Sequence, residues 1–228
     1  PTSEVLLGSP FDYKNSTLLL VAQDLPEPGQ RHYQESVEKA LMDILTATEG
    51  RALVLFTSHS SLRAALAGIR EPLEQQGLVV LGHGVDGSRS QLLDLFKRHK
   101  KAVLLGTSSF WEGVDVVGEA LSVVIITRLP FHVPSDTVFA ARSQALAAGF
   151  NQYALPLSIL RFRQGFGRLI RSRTDRGVIV VLDSRLHRKS YGRAFLQSLP
   201  RCTVRVGPAR NLAAQAAQWL LSFQTNLL

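Results

Sequence analysis

The sequence predicts a single doubly wound α/β domain, in which helices cover both faces of a mainly parallel sheet. Three observations support this prediction. Short apolar runs alternate with segments of helical periodicity along the 228 residues. The runs are apolar throughout, which is typical of strands buried on both faces. A hydrophobic content of 45% is enough to form one sizeable core.

The predicted strands are short runs dominated by Leu, Val and Ile, most of them followed by small polar or charged residues. Their order along the chain, with helices between them, is the pattern of parallel βαβ units. In sequence order the predicted strands cover residues 17–23, 52–57, 78–81, 102–106, 122–127, 177–182 and 203–206.

The predicted helices carry apolar residues at a spacing of three and four, as in Val37, Leu41 and Leu45. Pro156 suits the first turn of its helix, where the missing N–H has no partner to lose. We find no internal repeat and no low-complexity tract. In sequence order the predicted helices cover residues 33–47, 62–70 or beyond, 91–99, 135–148, 156–173, 189–199 and 211–223.

The net charge of +8 is concentrated in one part of the chain. Residues 161–193 contain nine Arg and one Lys against Asp175 and Asp183, and the rest of the chain is balanced. Concentrated basic charge indicates a phosphate-bearing partner, either nucleic acid or nucleotide. A solvated basic face is the alternative.

Composition excludes several classes of protein. No run of 18 or more apolar residues is present, so we expect no membrane span. The single Cys202 excludes an internal disulfide, a zinc ribbon or an iron–sulfur cluster built from this chain alone, and indicates a reducing cytoplasm. The start lacks Met and a signal peptide, and we interpret the chain as a fragment of a longer protein.

The basic stretch from Arg161 to Arg173 is the strongest candidate for function. On the predicted helix, Gln164, Arg168 and Arg171 follow at i, i+4 and i+7 and share one face. Each of the two interior glycines costs a helix about 1 kcal/mol, which indicates close approach of a backbone or a ligand. Two guanidinium groups and an amide suit a polyphosphate, because Arg binds phosphate oxygens bidentately.

Hydroxyl and basic side chains follow three of the predicted strands. They are Ser58 and His59, Thr107 and Ser108, and Arg185. Ligands of open α/β sheets bind outside the carboxyl ends of the strands, where hydroxyls and backbone amides can hold phosphates. Capping of the next helix is the alternative role for each Ser or Thr.

The pattern Gln164-x-x-Gly167-Arg168-x-x-Arg171 resembles motif VI of superfamily 2 helicases. The surrounding wording Gln-Gly-Phe-Gly-Arg-Leu-Ile-Arg is similar to the DinG branch of the XPD/DinG type. The segment 106–115 resembles motif V of the same family, and the strand 52–57 with its polar end resembles motif IV. The resemblance covers nearly the whole chain, and implies that residues 1–228 are one RecA-like (P-loop NTPase-like) domain, the second motor domain of an ATP-dependent DNA helicase.

The resemblance also implies roles for individual residues. The arginines of motif VI act as fingers on the γ-phosphate of ATP, which is bound with Mg²⁺ mainly by an N-terminal motor domain absent from this chain. The implied single-stranded DNA contacts are the five residues at the strand ends. Family membership further implies 5′→3′ translocation, DNA repair and association with a bacterial nucleoid. The implied catalytic residues are Arg168, Arg171 and Gln164, and the implied nucleotide contacts are Glu112, Gly113, Asp115 and Gly167.

The chain has no G-x-x-x-x-G-K-[ST] phosphate loop and no Asp-Glu-x-His box, so we expect it to be inactive alone and to hold no metal. The iron–sulfur content of the parent protein stays open. Residues 82–87 fit the dinucleotide pattern G-x-G-x-x-G, but the acidic residue about 20 positions later is missing. Two alternative functions stay open. One is a dinucleotide-binding domain that uses residues 82–87, and the other is a non-catalytic nucleic-acid-binding module that uses the basic stretch without ATP.

Overall fold

A seven-stranded sheet with every neighbouring pair of strands parallel forms the centre of the domain. The computed structural model describes residues 9–112, 120–131, 139, 142–143, 145–146, 148–172 and 174–224. The strand order is β3-β4-β2-β5-β6-β1-β7. The strands are β1 Thr17–Ala22, β2 Ala52–Leu55, β3 Val79–Gly82, β4 Ala102–Gly106, β5 Val123–Ile126, β6 Gly177–Val181 and β7 Thr203–Gly207.

Helices lie between the strands. The described α-helices are α1 Tyr13–Ser16, α2 Tyr33–Ala47, α3 His59–Gln75, α4 Arg89–Arg98, α5 Ser108–Trp111, α6 Leu155–Phe166, α7 Arg185–Arg188, α8 Gly192–Gln197 and α9 Leu212–Gln224. A π-helical turn, Phe150–Ala154, leads into α6, and a 3₁₀ turn, Ala209–Asn211, leads into α9.

The sheet divides the core into two layers. Alternate residues of each strand point to opposite faces, so Leu18 and Leu20 join one layer while Leu19 and Val21 join the other. Helices α2, α3 and α9 cover the first face. Helices α4, α5, α6 and α8 cover the second. This arrangement confirms the predicted doubly wound α/β fold.

Most predicted elements recur with small shifts at their ends. The helix predicted over residues 33–47 and the strand predicted over 102–106 have those bounds in the structure. The helix predicted over 135–148 lies largely outside the described residues. No described helix is both long and apolar enough to cross a membrane.

The basic helix predicted over residues 156–173 is the main correction. Helix α6 ends at Phe166, Gly167 is its C-cap, and the chain continues as a turn. Leu169 and Ile170 are buried in the second layer, and this packing directs the chain away from the helix axis. Arg168 and Arg171 therefore do not share a helical face with Gln164, and the predicted i, i+4, i+7 relation is wrong.

The helix predicted over residues 189–199 is also corrected. Only α8, Gly192–Gln197, lies within that range, and a separate short helix, α7, precedes it at Arg185–Arg188. At Gly192 the chain passes so close to the carbonyl of Leu186 that no Cβ would fit. This close contact between the two short helices explains why they do not merge into one.

Candidate functional site

The candidate residues fall into two groups. One lies at the end of the sheet where the parallel strands finish, which we call the carboxyl edge, and the other lies at the opposite edge, where the strands begin. One group follows the carboxyl ends of β2, β4 and β6. The arginines after α6 belong to the other edge, because Leu169 packs against Gly177, the first residue of β6. The ring of Phe166 also contacts Tyr13, just before β1. The rule that ligands of open α/β sheets bind outside the carboxyl ends of the strands (the carboxyl-edge rule) therefore locates only the first group.

Arg168 and Arg171 lie in a turn that the surrounding chain holds in place. The Nε atom of Arg168 donates to the carbonyl oxygen of Gln164 at 3.1 Å. The buried carboxylate of Asp175 accepts from the backbone N–H of Arg171 at 2.8 Å and from that of Ser172 at 2.9 Å. It also accepts from the Ser172 hydroxyl at 2.7 Å. These bonds fix the backbone from which the Arg171 side chain extends.

Close approach at Gly165 explains one of the two glycines. A Cβ at this position would lie 3.1 Å from the Trp111 ring and 3.2 Å from Leu55. The indole of Trp111, rather than a backbone or a ligand, is the close neighbour. At Gly167 the nearest such atom is 3.4 Å away, so packing does not require a glycine there.

Gln164 is held in the last turns of α6, close to this packed region. Its side-chain oxygen Oε1 is buried, and no donor in the described part of the chain reaches it. A buried amide oxygen without a donor is energetically unfavourable. The hydrogen-bonding capacity of this oxygen is therefore unused within the described part of the chain.

At the carboxyl edge, Ser58 caps α3 by accepting from the backbone N–H of Ser61. This is the capping role named above as an alternative. His59 is the first residue of α3 and is exposed. Its Nε2 atom lies 3.1 Å from the Thr107 hydroxyl, so the segments after β2 and β4 are joined by a side-chain contact.

Thr107 also contacts His83, which the sequence analysis did not single out. The hydroxyl oxygen of Thr107 lies 2.8 Å from Nδ1 of His83. His83 is the residue directly after β3, so the carboxyl-edge rule that selected Ser58 and Thr107 would also have selected it. Burial, with His59 and Arg89 nearby, lowers the pKa of His83.

The segment after Thr107 begins with the short helix α5. Ser108 is its first residue and is exposed. Exposed Glu112 directly follows α5, and its backbone oxygen accepts from Nη2 of Arg89 at 2.9 Å. Gly113 and Asp115 lie outside the described residues. Phe110 and Trp111 are buried, as expected for core packing.

Arg185 is engaged by a buried carboxylate. Asp183, whose side chain is fully buried, accepts from Nε of Arg185 at 2.9 Å and from Nη2 at 2.6 Å. The same carboxylate accepts from the backbone N–H of Leu129 at 2.8 Å. The Arg185 guanidinium also lies over the ring of Phe131, with its carbon 5.6 Å from the ring centroid. Arg185 therefore connects β6 to the segment after β5.

The glycine-rich segment 82–87 folds as a self-bonded turn. Asp86 accepts from the backbone N–H of Gly82 at 2.7 Å and forms an ion pair with Arg70. The backbone N–H groups of Val85 and Asp86 point to the Gly82 carbonyl. These amides are used within the turn, which fits a connecting turn better than a pyrophosphate site. In the described part of the chain, no group of three or more His, Cys, Asp or Glu could hold a metal.

The parallel seven-stranded sheet covered by helices on both faces matches the fold of RecA-like α/β domains. The fold is similar to that of apo XPD, with a TM-score of 0.62 and 17% identity over 85% of this chain and 40% of that chain. It is also similar to yeast (S. cerevisiae) Dbp5 bound to RNA and ADP–BeF₃, with a TM-score of 0.57 and 16% identity over 91% and 46%.

Residues 41–202 match the family described as the helicase C-terminal domain, and the chain belongs to that family. It is 42% identical to the ATP-dependent DNA helicase YoaA of Escherichia coli, over 86% of this chain and 31% of that protein. It is 43% identical to the ATP-dependent helicase DinG of Mycobacterium tuberculosis, over 85% and 29%. The resemblance to DinG/XPD-type helicases is confirmed. The chain spans less than a third of these relatives.

Proposed function

We propose that this chain is the second motor domain of an ATP-dependent DNA helicase. In the full-length protein it closes on ATP and Mg²⁺ held mainly by the first motor domain, and it moves along single-stranded DNA in the 5′→3′ direction. The family match and the similarity to proteins named as ATP-dependent helicases support this proposal. Such a protein would act in the cytoplasm, at the nucleoid of a bacterium.

The turn that carries Arg171 is the observation on which the finger assignment depends. A buried aspartate, Asp175, binds two successive backbone N–H groups at the base of that arginine. A side chain that must meet a developing charge is most effective when its backbone is already fixed, because no reorganisation is then needed during the reaction. A merely solvated basic loop does not need a buried aspartate to shape it.

In this proposal Arg168 and Arg171 reach the γ-phosphate of ATP across the cleft between the two motor domains. Planar guanidinium groups bind phosphate oxygens bidentately, and they stabilise the charge that spreads over the transferred phosphoryl group. Gln164 would orient the attacking water or the phosphate. Further nucleotide contacts are assigned to Gly167, beside the arginines, and to Glu112, Gly113 and Asp115, which follow α5 in the sequence and approach the nucleotide from the carboxyl side of the sheet.

The opposite edge would carry the DNA. We assign contacts with the backbone of single-stranded DNA to side chains that follow β2, β4 and β6. They are Ser58, His59, Thr107, Ser108 and Arg185. Hydroxyls, imidazoles and helix amino termini are suited to phosphates and are insensitive to base sequence. Arg185 would contribute through the part of its guanidinium that Asp183 does not cover.

Trp111 provides a physical connection between the two edges. Its Nε1 donates to the Phe56 carbonyl at 3.0 Å, two residues before Ser58. The other side of the same indole packs against Gly165, just before the turn that carries Arg168 and Arg171. A displacement of the DNA-binding edge would therefore be transmitted to α6 through a buried ring. This connection suits a motor in which DNA and ATP influence each other.

The test is substitution of the fingers in the full-length protein. We expect Arg168→Lys and Arg171→Lys to lower ATP turnover at saturating single-stranded DNA by a factor of about 10³ to 10⁵, with little change in nucleotide affinity. Lys keeps the charge but loses the planar fork, so it should rescue poorly. Arg163→Lys is the matched control, because Arg163 is exposed in the last turn of α6.

DNA affinity is measured separately on the same variants. Turnover that stays within a few-fold of the unmodified protein, together with lost DNA affinity, would show that these arginines bind DNA instead. That result would favour the non-catalytic nucleic-acid role of the basic stretch. Unwinding of substrates with a 5′ or a 3′ single-stranded tail tests the direction of movement.

A further inference from the structure

The hydroxyl of Thr107 lies between two histidines from different segments of the chain. It is 3.1 Å from Nε2 of His59 and 2.8 Å from Nδ1 of His83. The two imidazole rings are 5.1 Å apart, centroid to centroid. Thr107 is almost fully buried, whereas His83 is half-buried and His59 is exposed. The solvent-facing surface of this cluster is therefore formed by the imidazole rings of His59 and His83.

Counting protons shows how the cluster must be arranged. A hydroxyl has one proton to donate and two lone pairs to accept with. Thr107 can therefore donate to only one of its two histidines, and the other histidine must present an N–H to it. A neutral ring whose inner nitrogen carries that proton has an unprotonated nitrogen on its outer side, so at least one of the two outer nitrogens is unprotonated when both rings are neutral. Those outer nitrogens, Nδ1 of His59 and Nε2 of His83, hydrogen-bond to no other group in the described part of the chain.

The groups around His83 favour an anion. Arg89 of α4 lies over Phe110 of α5, and that phenyl ring is 4.8 Å from the His83 imidazole, centroid to centroid. The nearest carboxylate in the adjoining turn is Asp86, which is neutralised by Arg70. From α3 the facing group is His59. Among the described residues, no carboxylate forms an ion pair with either imidazole.

The backbone beside the cluster is also shaped to hold it. Gly84 has a φ of +73°, which non-glycine residues rarely adopt, and a Cβ there would contact His59 at 3.6 Å. The turn after β3 thereby brings His83 and His59 together. His59 additionally lies at the amino end of the 17-residue helix α3, where the helix dipole favours negative charge.

We propose that His59 and His83, linked by Thr107, form a phosphate subsite whose occupant is a phosphodiester of single-stranded DNA, and that binding takes up a proton. This inference rests on the proposed DNA-binding role of the carboxyl edge, and adds His83 and the coupling to pH. When both rings are neutral, a phosphate facing the two outer nitrogens meets the lone pair of at least one of them. It can accept hydrogen bonds from both outer nitrogens only after a proton is taken up.

The direction of the pH effect follows from the free state. Burial and the neighbouring His59 and Arg89 lower the pKa of His83 in the absence of ligand. A bound phosphate favours the protonated ring and raises that pKa. DNA affinity should therefore fall as the pH rises through the window between the free and bound pKa values, by up to about tenfold per pH unit for one proton.

Binding of a fluorescent oligothymidylate to the 228-residue chain, at constant ionic strength from about pH 5.5 to 8, tests the proposal. We expect His83→Gln to weaken binding at acidic pH and to flatten its pH dependence, and His59→Gln to weaken binding. His99→Gln is the matched control, because His99 is exposed and lies before β4, at the other edge of the sheet. It should retain the pH dependence of the unmodified chain. An unchanged pH dependence in His83→Gln would overturn the proposal.

Titration of the histidine ring protons by NMR separates this inference from the proposed DNA-binding role. Dimethyl phosphate is the probe, and it should raise the pKa of His83 even if the oligothymidylate does not bind. That combination would support the phosphate subsite and reject DNA as its occupant. A His83 pKa that moves with neither dimethyl phosphate nor the oligothymidylate would reject the subsite itself.

Discussion

Removal of the Arg185 side chain should destabilise the domain strongly, because Asp183 would remain fully buried without its ion-pair partner. The Asp183 side chain is 0% exposed and that of Arg185 is 15% exposed. Breaking a buried pair by removing one partner costs about 3–5 kcal/mol. Two backbone N–H groups, of Leu129 and Arg185, still bind the carboxylate at 2.8 and 3.1 Å. We therefore expect the lower end of that range for Arg185→Ala, about 3 kcal/mol.

A second substitution at Asp183 shows whether the unpaired charge is the cause. Asp183→Asn removes the charge and keeps an oxygen that can accept from the Leu129 N–H. The double variant Asp183→Asn/Arg185→Ala should therefore be more stable than Arg185→Ala alone. A coupling free energy of at least about 1 kcal/mol between the two positions is expected, as for groups in one network.

Urea unfolding followed by circular dichroism measures these effects. With a urea m-value of about 2–3 kcal/mol/M, a loss of 3 kcal/mol lowers the midpoint by about 1–1.5 M. Arg188→Ala is the control, because Arg188 is exposed in the same short helix; it should change the stability by less than about 0.5 kcal/mol. If Arg185→Ala unfolds at the same urea concentration as this control, the inference about the buried pair is wrong, and DNA contact becomes the main role of Arg185.

Two further predictions concern the chain as a whole. The 228-residue chain should hydrolyse ATP no faster than background, with or without single-stranded DNA, because its sequence lacks a phosphate loop and an Asp-Glu-x-His box; phosphate release that Arg168→Ala abolishes would contradict this. Burial raises the pKa of the Cys202 thiol to about 11, so at pH 8 the folded chain should react with iodoacetamide about two orders of magnitude more slowly than the chain unfolded in urea. The rate of the folded chain should rise about tenfold per pH unit below that pKa, and equal rates in the two states would show that the thiol is not protected.

The positions of the strands could be predicted from the sequence because strand type depends on local pattern. Runs such as residues 102–106 are apolar at every position, and only a strand covered on both faces buries all of them. The helix over residues 33–47 was predicted with its observed bounds because its apolar residues recur every three or four positions, which is also a local pattern. The motif around Arg168 was recognised from residue identities alone, and the family match confirms the resemblance.

The conformation of the arginine turn depends on contacts between residues that local periodicity does not relate. Helical spacing continued past Phe166 in the sequence, but Leu169 packs against the start of β6 and Asp175 binds the backbone at Arg171. Those contacts stabilise a turn more than the continuation of a helix through Gly167 would. The sequence therefore predicted which arginines are important but placed them in the wrong secondary structure.

The sequence by itself determined the fold class, the family and the residues at the carboxyl ends of the strands, because each depends on composition, periodicity or a short motif. The tertiary structure decided which of those residues meet. It joined His59, Thr107 and His83 from the ends of three strands, and placed Arg168 near the opposite edge of the sheet. The physical reason is that strand order and crossover connections set these distances. In the order β3-β4-β2, strands that are distant in sequence become neighbours.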